Sequence, residues 1–245
     1  MNESMARVEP LAVLAHELRN PIGAIRNAVI LMVSAGKMPG AMDQAREIIA
    51  RQASQLAVLV DDLLDLASFA RGALSLRREW TDIVKEVEAS VESCAWALTA
   101  ASHTFCVDMP DAPLYAYIDG TRVRQIVTNL LDNACKYTPA YGRIRLSLAR
   151  IGDDALISVE DNGMGIESDR LPYVFDMFTR VGSGREAALR GLGVGLALIR
   201  EIAELHGGDI QARSGGRGCG SAFVVRLPIR PWCRAAPRDA SLPGC

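Results

Sequence analysis

No Cys-x-x-Cys pair occurs in this sequence, although it carries six cysteines, at positions 94, 106, 135, 219, 233 and 245, and no histidine cluster accompanies them. A zinc site or a disulfide framework is therefore not expected, and the thiols fit a reducing, cytoplasmic compartment. Long apolar runs are missing as well. The longest, Gly191–Ile199, has nine residues, where a membrane span needs about 20. Arg7 and Glu9 precede any apolar segment of sufficient length, so no secretory leader is expected, nor membrane contact by this segment, although a parent protein could be anchored through missing segments. Nor does one sign of charge dominate. A formal net charge of −2 gives no field for capturing a polyanion and argues against nucleic acid as a partner. What is present is an ordinary globular balance, 49% hydrophobic and 23% charged over 245 residues, enough for one large domain or two ordinary ones.

The first seventy residues follow a seven-residue apolar repeat. Val8, Leu11, Ala15, Leu18, Ile22, Ile25, Val29 and Met32 alternate steps of three and four, and a second run takes in Ile49, Gln52, Leu56, Leu59, Leu63 and Leu66. Turn signals at 34–36 and 38–40 separate them. This spacing keeps a narrow stripe facing a partner helix and predicts an antiparallel helical hairpin. A lone hairpin leaves apolar surface in water, so two copies are expected to close a four-helix bundle as a homodimer.

After Arg71-Gly72 the period changes. Helices are expected over 82–99, Asp119–Tyr137 and Val194–Leu205, and strands over 104–109, 114–118, 143–148, 155–160 and 222–227. The order predicts a sheet covered on one face by helices, an α/β two-layer sandwich following an all-α hairpin. The expected division is 1–70 for the hairpin, 71–81 for a connector and 82–230 for the second domain. A Pro/Ala/Arg-rich tail, 231–245, is expected to be disordered.

Three polar clusters stand out in the second part. Eleven of the 21 glycines fall between Gly182 and Gly220, with Gly191, Gly193 and Gly195 directly before an apolar helix. Glycines let backbone approach a ligand, and a helix start offers N–H groups to phosphate, although a flexible turn would read the same way. Neither a P-loop nor a dinucleotide fingerprint is present. Upstream, Asp161, Gly163 and Gly165 follow a strand; this is either an ordinary Asn-Gly turn or a carboxylate that accepts from a base amino group. On the helix 119–137, Asn129 and Asn133 lie four apart, followed by Lys136 and Tyr137, on a side away from Val123, Val127, Leu130, Leu131 and Ala134. Amide oxygens and an ammonium suit a metal–triphosphate. Phe175 and Phe178 are expected in the core, and Arg180 either clamps phosphate or is solvated.

Taken in order, Asn129–Pro139, Asp161–Ile166, Phe175-x-x-Phe178 and Gly191–Leu196 resemble the N, G1, F and G2 boxes of sensor histidine kinases, and His16-Glu17-Leu18-Arg19-Asn20-Pro21-Ile22 resembles their H box. The resemblance covers about residues 8 to 230 and implies a Bergerat-type ATP-binding fold joined to a dimeric phosphotransfer hairpin. It implies that His16, one step off the helical seam and facing water, attacks the γ-phosphorus of ATP, with Glu17 as its acidic neighbour. By the same resemblance Asn133 holds Mg²⁺ with support from Asn129, Lys136 contacts phosphate, Tyr137 packs on adenine, and Asp161 binds the adenine amino group. Gly163, Gly165, Gly191, Gly193 and Gly195 shape the pocket and its lid, and Arg180 lies near the γ-phosphate. The expected partner is a response-regulator receiver domain, with Asn20 orienting water for its dephosphorylation. Pro21 is expected to kink the helix. Two departures are a valine, Val194, in place of the usual leucine, and a short charged lid at 181–190. Only fifteen residues precede His16, so sensor input is expected from a separate protein or a missing segment. The alternatives are a non-catalytic dimeric adaptor, which would have lost Asn133, Asp161 or the glycines, and an ATPase of the chaperone or topoisomerase kind, which would lack the His-Glu-x-x-Asn-Pro helix.

Overall fold

A computed structural model describes residues 5–34, 40–70, 75–100, 102–179 and 193–229. Two long helices come first, α1 (Met5–Ser34) and α2 (Ala41–Ala70), packed along each other as the heptads require. α1 runs without interruption through Pro21, which is buried. The apolar stripe divides, however. Leu18, Ile25 and Met32 are half-buried together with buried Pro21 and Ala28, whereas Ile22 (54% exposed) and Val29 (46%) face away. On a helix of 3.6 residues per turn, a stripe eight members long is wider than one neighbour can cover. The expected tail 231–245 lies outside the described residues.

The remaining elements are β1 (Glu79–Asp82), α3 (Ile83–Ala100), β2 (Thr104–Asp108), β3 (Tyr115–Ile118), α4 (Gly120–Tyr137), β4 (Arg143–Ile151), β5 (Asp154–Asp161), a 3₁₀ turn (Leu171–Tyr173), α5 (Gly195–Leu205), β6 (Asp209–Arg213) and β7 (Ser221–Pro228). β1, in the stretch expected as a connector, pairs antiparallel with β3. The other five strands form a mixed sheet in the order β2-β4-β5-β7-β6. β2 runs parallel to β4, and every other pair is antiparallel.

One face of this sheet is apolar by strict alternation: Ile144, Leu146 and Leu148 on β4, Ala155, Ile157 and Val159 on β5, Phe223, Val225 and Leu227 on β7, all buried. α4, which packs on α3 and meets β5, buries Val123, Ile126, Val127, Leu130, Leu131 and Ala134, which recur at three- and four-residue steps. Burying a side chain of this size stabilises by about 1.5–3 kcal/mol. The helical-hairpin-then-α/β architecture expected from the sequence is the one observed.

By contact the chain divides into two compact units, 1–75 with 166–201 and 76–165 with 202–245. The whole sheet belongs to the second.

Candidate functional site

The sequence-derived site residues are shared between these units. In the unit containing the sheet, α4 is fixed at its start by Asp119, whose carboxylate accepts the N–H of Arg122 at 3.2 Å and that of Arg77 at 2.9 Å. Capping of this kind satisfies N–H groups that the helix itself leaves unpaired. Because the apolar stripe of α4 is committed to the core, Asn129, Asn133 and Lys136 are left on the other flank, each half-buried. The Lys136 ammonium lies 4.7 Å from the centroid of the Tyr137 ring, a cation–π distance.

Asp161 closes β5. Its Oδ1 accepts the N–H of Gly163 at 2.8 Å, and its Oδ2 accepts the hydroxyl of Ser221 at 2.5 Å. The next residues thread a space that side chains would fill. A β-carbon on Gly163 would stand 2.3 Å from the Tyr137 carbonyl oxygen, and one on Gly165, at φ 68°, 2.1 Å from that of Gly216. Hydrogen bonds hold the loop on both sides: Met164 N–H donates to Tyr137 O at 3.0 Å, Gly218 N–H to Met164 O at 2.6 Å, and Gly220 N–H to Gly163 O at 3.2 Å. Asp161, Gly163 and Gly165 are thus brought against the C-terminal end of α4, with Lys136 and Tyr137.

Ser221, Gly216, Gly218 and Gly220 were not singled out by the sequence. For the glycines the signal was their density running on to residue 220 before the alternation of β7; Ser221 carried none.

In the other unit, Gly193 (φ 72°) accepts the N–H of Phe178 at 3.0 Å, and a β-carbon there would stand 2.7 Å from the Thr179 carbonyl oxygen. Phe178 itself adopts φ 63°. Phe175 and Phe178 are half-buried rather than core, and Val174 is the buried residue of the segment. A left-handed backbone directs the Phe178 side chain by the needs of the turn rather than by apolar periodicity. Gly195 begins α5 behind buried Val194. His16, Glu17 and Asn20 lie on α1, and Asn20 is exposed. The side chains of His16 and Glu17, and residues Arg180 and Gly191, lie outside the described residues.

The chemistry available in the sheet unit is specific. Each Asp161 oxygen accepts one intramolecular donor, and a carboxylate oxygen has room for a second. Two neutral amide oxygens one turn apart, with an ammonium a turn further on, suit a hard cation that is already neutralised in part by phosphate.

Comparison with known proteins identifies the family. The model for the His Kinase A (phospho-acceptor) domain matches residues 6–72, and that for the histidine kinase-, DNA gyrase B- and HSP90-like ATPase matches residues 118–231. The sensor histidine kinase WalK of Bacillus subtilis is 32% identical over 228 residues, 91% of this chain and 37% of WalK, so the chain spans little more than a third of that relative's length. The solved structure of the Acinetobacter baumannii histidine kinase AdeS superposes with a TM-score of 0.66 at 26% identity, over 88% of this chain and 98% of that one. The histidine kinase ThkA, solved in complex with the response regulator TrrA, has the same fold at a TM-score of 0.68 and 22% identity, over 93% of this chain and 63% of that one. The chain belongs to the histidine kinase family, carrying that family's phospho-acceptor and ATPase modules in succession.

Proposed function

We propose that the chain is the kinase core of a two-component system, in which His16 is autophosphorylated from ATP and passes the phosphoryl group to an aspartate of a response-regulator receiver domain. The observation that carries this reading is the closure of the 161–165 loop on the end of α4. With no room for a β-carbon at Gly163, main chain packs against the Tyr137 carbonyl beside Asp161, which holds the carboxylate for an approaching base. Asp161 accepts from the adenine amino group and Tyr137 packs on the ring. Lys136 offsets phosphate charge, while Asn133, with Asn129, holds Mg²⁺. That ion supplies charge neutralisation for the triphosphate. Arg180 near the γ-phosphate and a lid shaped by Gly191, Gly193 and Gly195 follow from the family resemblance.

In the transfer step a ring nitrogen of His16 forms a bond to the γ-phosphorus as the bond to the bridging oxygen breaks and ADP leaves. Glu17 takes the ring proton or holds the ring's orientation. Most of the barrier is met by positioning and charge. Asn20, one helical turn on, orients water for hydrolysis of the phosphorylated regulator, giving a phosphatase activity. Residues 1–70 serve as the dimerisation and phosphotransfer hairpin and 82–230 as the ATP-binding domain. Exposed Ile22, Val29 and Val33 on α1 support a homodimer, since such a face is stable in water when a second copy covers it.

The test is incubation with γ-labelled ATP and Mg²⁺. The expected product is an acid-labile, alkali-stable label that disappears in His16→Ala. Label that persists in that variant overturns the reading.

A further inference from the structure

The end of α4 is also held from a side that the nucleotide reading does not use. α3 is closed by Ser102 at φ 54°, whose N–H donates to Thr99 O at 3.0 Å, and the N–H of His103 donates to Leu98 O at 3.2 Å. A residue bearing a β-carbon adopts that left-handed conformation at a cost, so the surrounding contacts must maintain it. The consequence is that the imidazole of His103 is turned onto α4, with Nε2 at 3.1 Å from Thr138 O. A carbonyl oxygen only accepts, so Nε2 is the donor in this bond. Nδ1 is buried and, among the described residues, has no hydrogen-bond partner. An unpaired buried nitrogen is unfavourable, and an apolar ring would fill the same space without one. The Nε2–H bond is therefore what a histidine adds at this position.

Consecutive carbonyls of one turn are in this way taken by two elements. Tyr137 O receives Met164 N–H from the 161–165 loop, and Thr138 O receives His103 Nε2–H, while Thr104 N–H, the next residue's, donates to Gly142 O at 2.8 Å. We propose that His103 is a positioning residue of the nucleotide site: its hydrogen bond to Thr138 O fixes the Lys136–Thr138 turn, so that Tyr137 O stays in place for the loop carrying Asp161 and Gly163. This rests on the nucleotide reading above.

The experiment uses the full chain and the non-hydrolysable analogue AMPPNP with Mg²⁺, titrated by calorimetry. His103→Asn, whose amide is too short to reach Thr138 O, is expected to raise Kd about fivefold, the worth of one neutral hydrogen bond. His103→Gln, whose amide nitrogen reaches the place of Nε2, is expected to remain within about twofold of the unsubstituted protein. Without nucleotide, the Met164 amide exchanges with deuterium faster in the Asn variant than in the Gln variant. His103→Phe keeps the ring and removes the donor, and gives the same loss should the Asn variant not fold. Undiminished affinity in the Asn or Phe variant, or equal loss in all three, overturns the proposal. Failure of the unsubstituted chain to bind AMPPNP overturns the nucleotide reading first, and this inference with it.

Discussion

Ser221 Oγ donates to Asp161 Oδ2 at 2.5 Å across the β5–β7 ladder, in which these two residues are direct partners. Together with the Gly163 N–H on Oδ1, this fixes the plane of the carboxylate before any base reaches it. Ser221→Ala is expected to weaken ATP binding by about 1 kcal/mol, roughly fivefold, while Ser221→Thr, which keeps the hydroxyl, retains affinity. Calorimetric titration of both variants checks this. Unchanged affinity in the alanine variant would show that Gly163 alone orients Asp161.

Two glycines make opposite predictions. At Gly163 an added β-carbon meets the Asp161 carboxylate at 2.8 Å and, more severely, backbone 2.3 Å away at Tyr137 O, which is not a side-chain tip that can swing away. Gly163→Ala is expected to cost about 1–3 kcal/mol of stability by overpacking and to abolish nucleotide binding. Gly23, inside α1, has nothing among the described residues within 4 Å of the same position. Gly23→Ala is expected to stabilise the hairpin by about 0.5–1 kcal/mol through helix propensity. Urea denaturation of the two variants distinguishes the signs.

His206 predicts a pH dependence of stability. The Asp119 N–H donates to its Nε2 at 3.1 Å and its Nδ1–H donates to Ile202 O at 2.8 Å, so the ring is held neutral in a buried position. Burial is the main cause lowering its pKa below the ordinary 6.5; Arg78 acts in the same direction, and the Ile202 carbonyl and Asp119 oppose it. The unfolded chain therefore binds the proton more readily. The stability contributed is fully present above about pH 6.5 and is lost as pH falls below that value toward the depressed one, with a slope of at most about 1.4 kcal/mol per pH unit. Urea titrations at pH 7.5, 6.0 and 5.0 should show a smaller loss in His206→Gln than in the unsubstituted protein. Parallel slopes would remove His206 as the cause.

The thiols differ in reactivity for a related reason. Burial, with the nearby Asp132 charge as the second cause, pushes both Cys94 and Cys135 up to about 11. Cys106 and Cys219 are exposed. Since the thiolate is the reacting species, brief iodoacetamide treatment at pH 8 should label positions 106 and 219 ahead of 94 and 135, as peptide mass spectrometry would report. Early loss of the Cys94 thiol would contradict the burial.

α4 was legible because its determinants are local: Asp119 as cap, a three–four apolar stripe, and asparagines on the opposite flank. β1 and β6 were not. Glu79–Asp82 and Asp209–Arg213 are short, largely polar segments that become strands only through pairing, the first with β3 far along the chain and the second with the adjacent β7. The parallel placement of β2 beside β4 is equally invisible in a linear pattern. Asp161 and the flanking glycines declared themselves, since a close backbone approach restricts residue type. Ser221 did not, because a serine at a strand start is ordinary and its meaning lies in its cross-strand partner. In α1 the repeat foretold an apolar stripe but not its division into Leu18, Ile25 and Met32 on one side and Ile22 and Val29 on the other.

β5 is hydrogen-bonded to β4 and β7 along its entire length, and Asp161 is its last residue. Amides shielded on both flanks open only when the whole module melts. The acid at the end of this strand inherits that persistence, so the proposed base-binding carboxylate is already set when a nucleotide arrives. Little of the ligand's binding free energy need then be diverted to ordering it, which favours rapid capture and release by a receptor that must cycle.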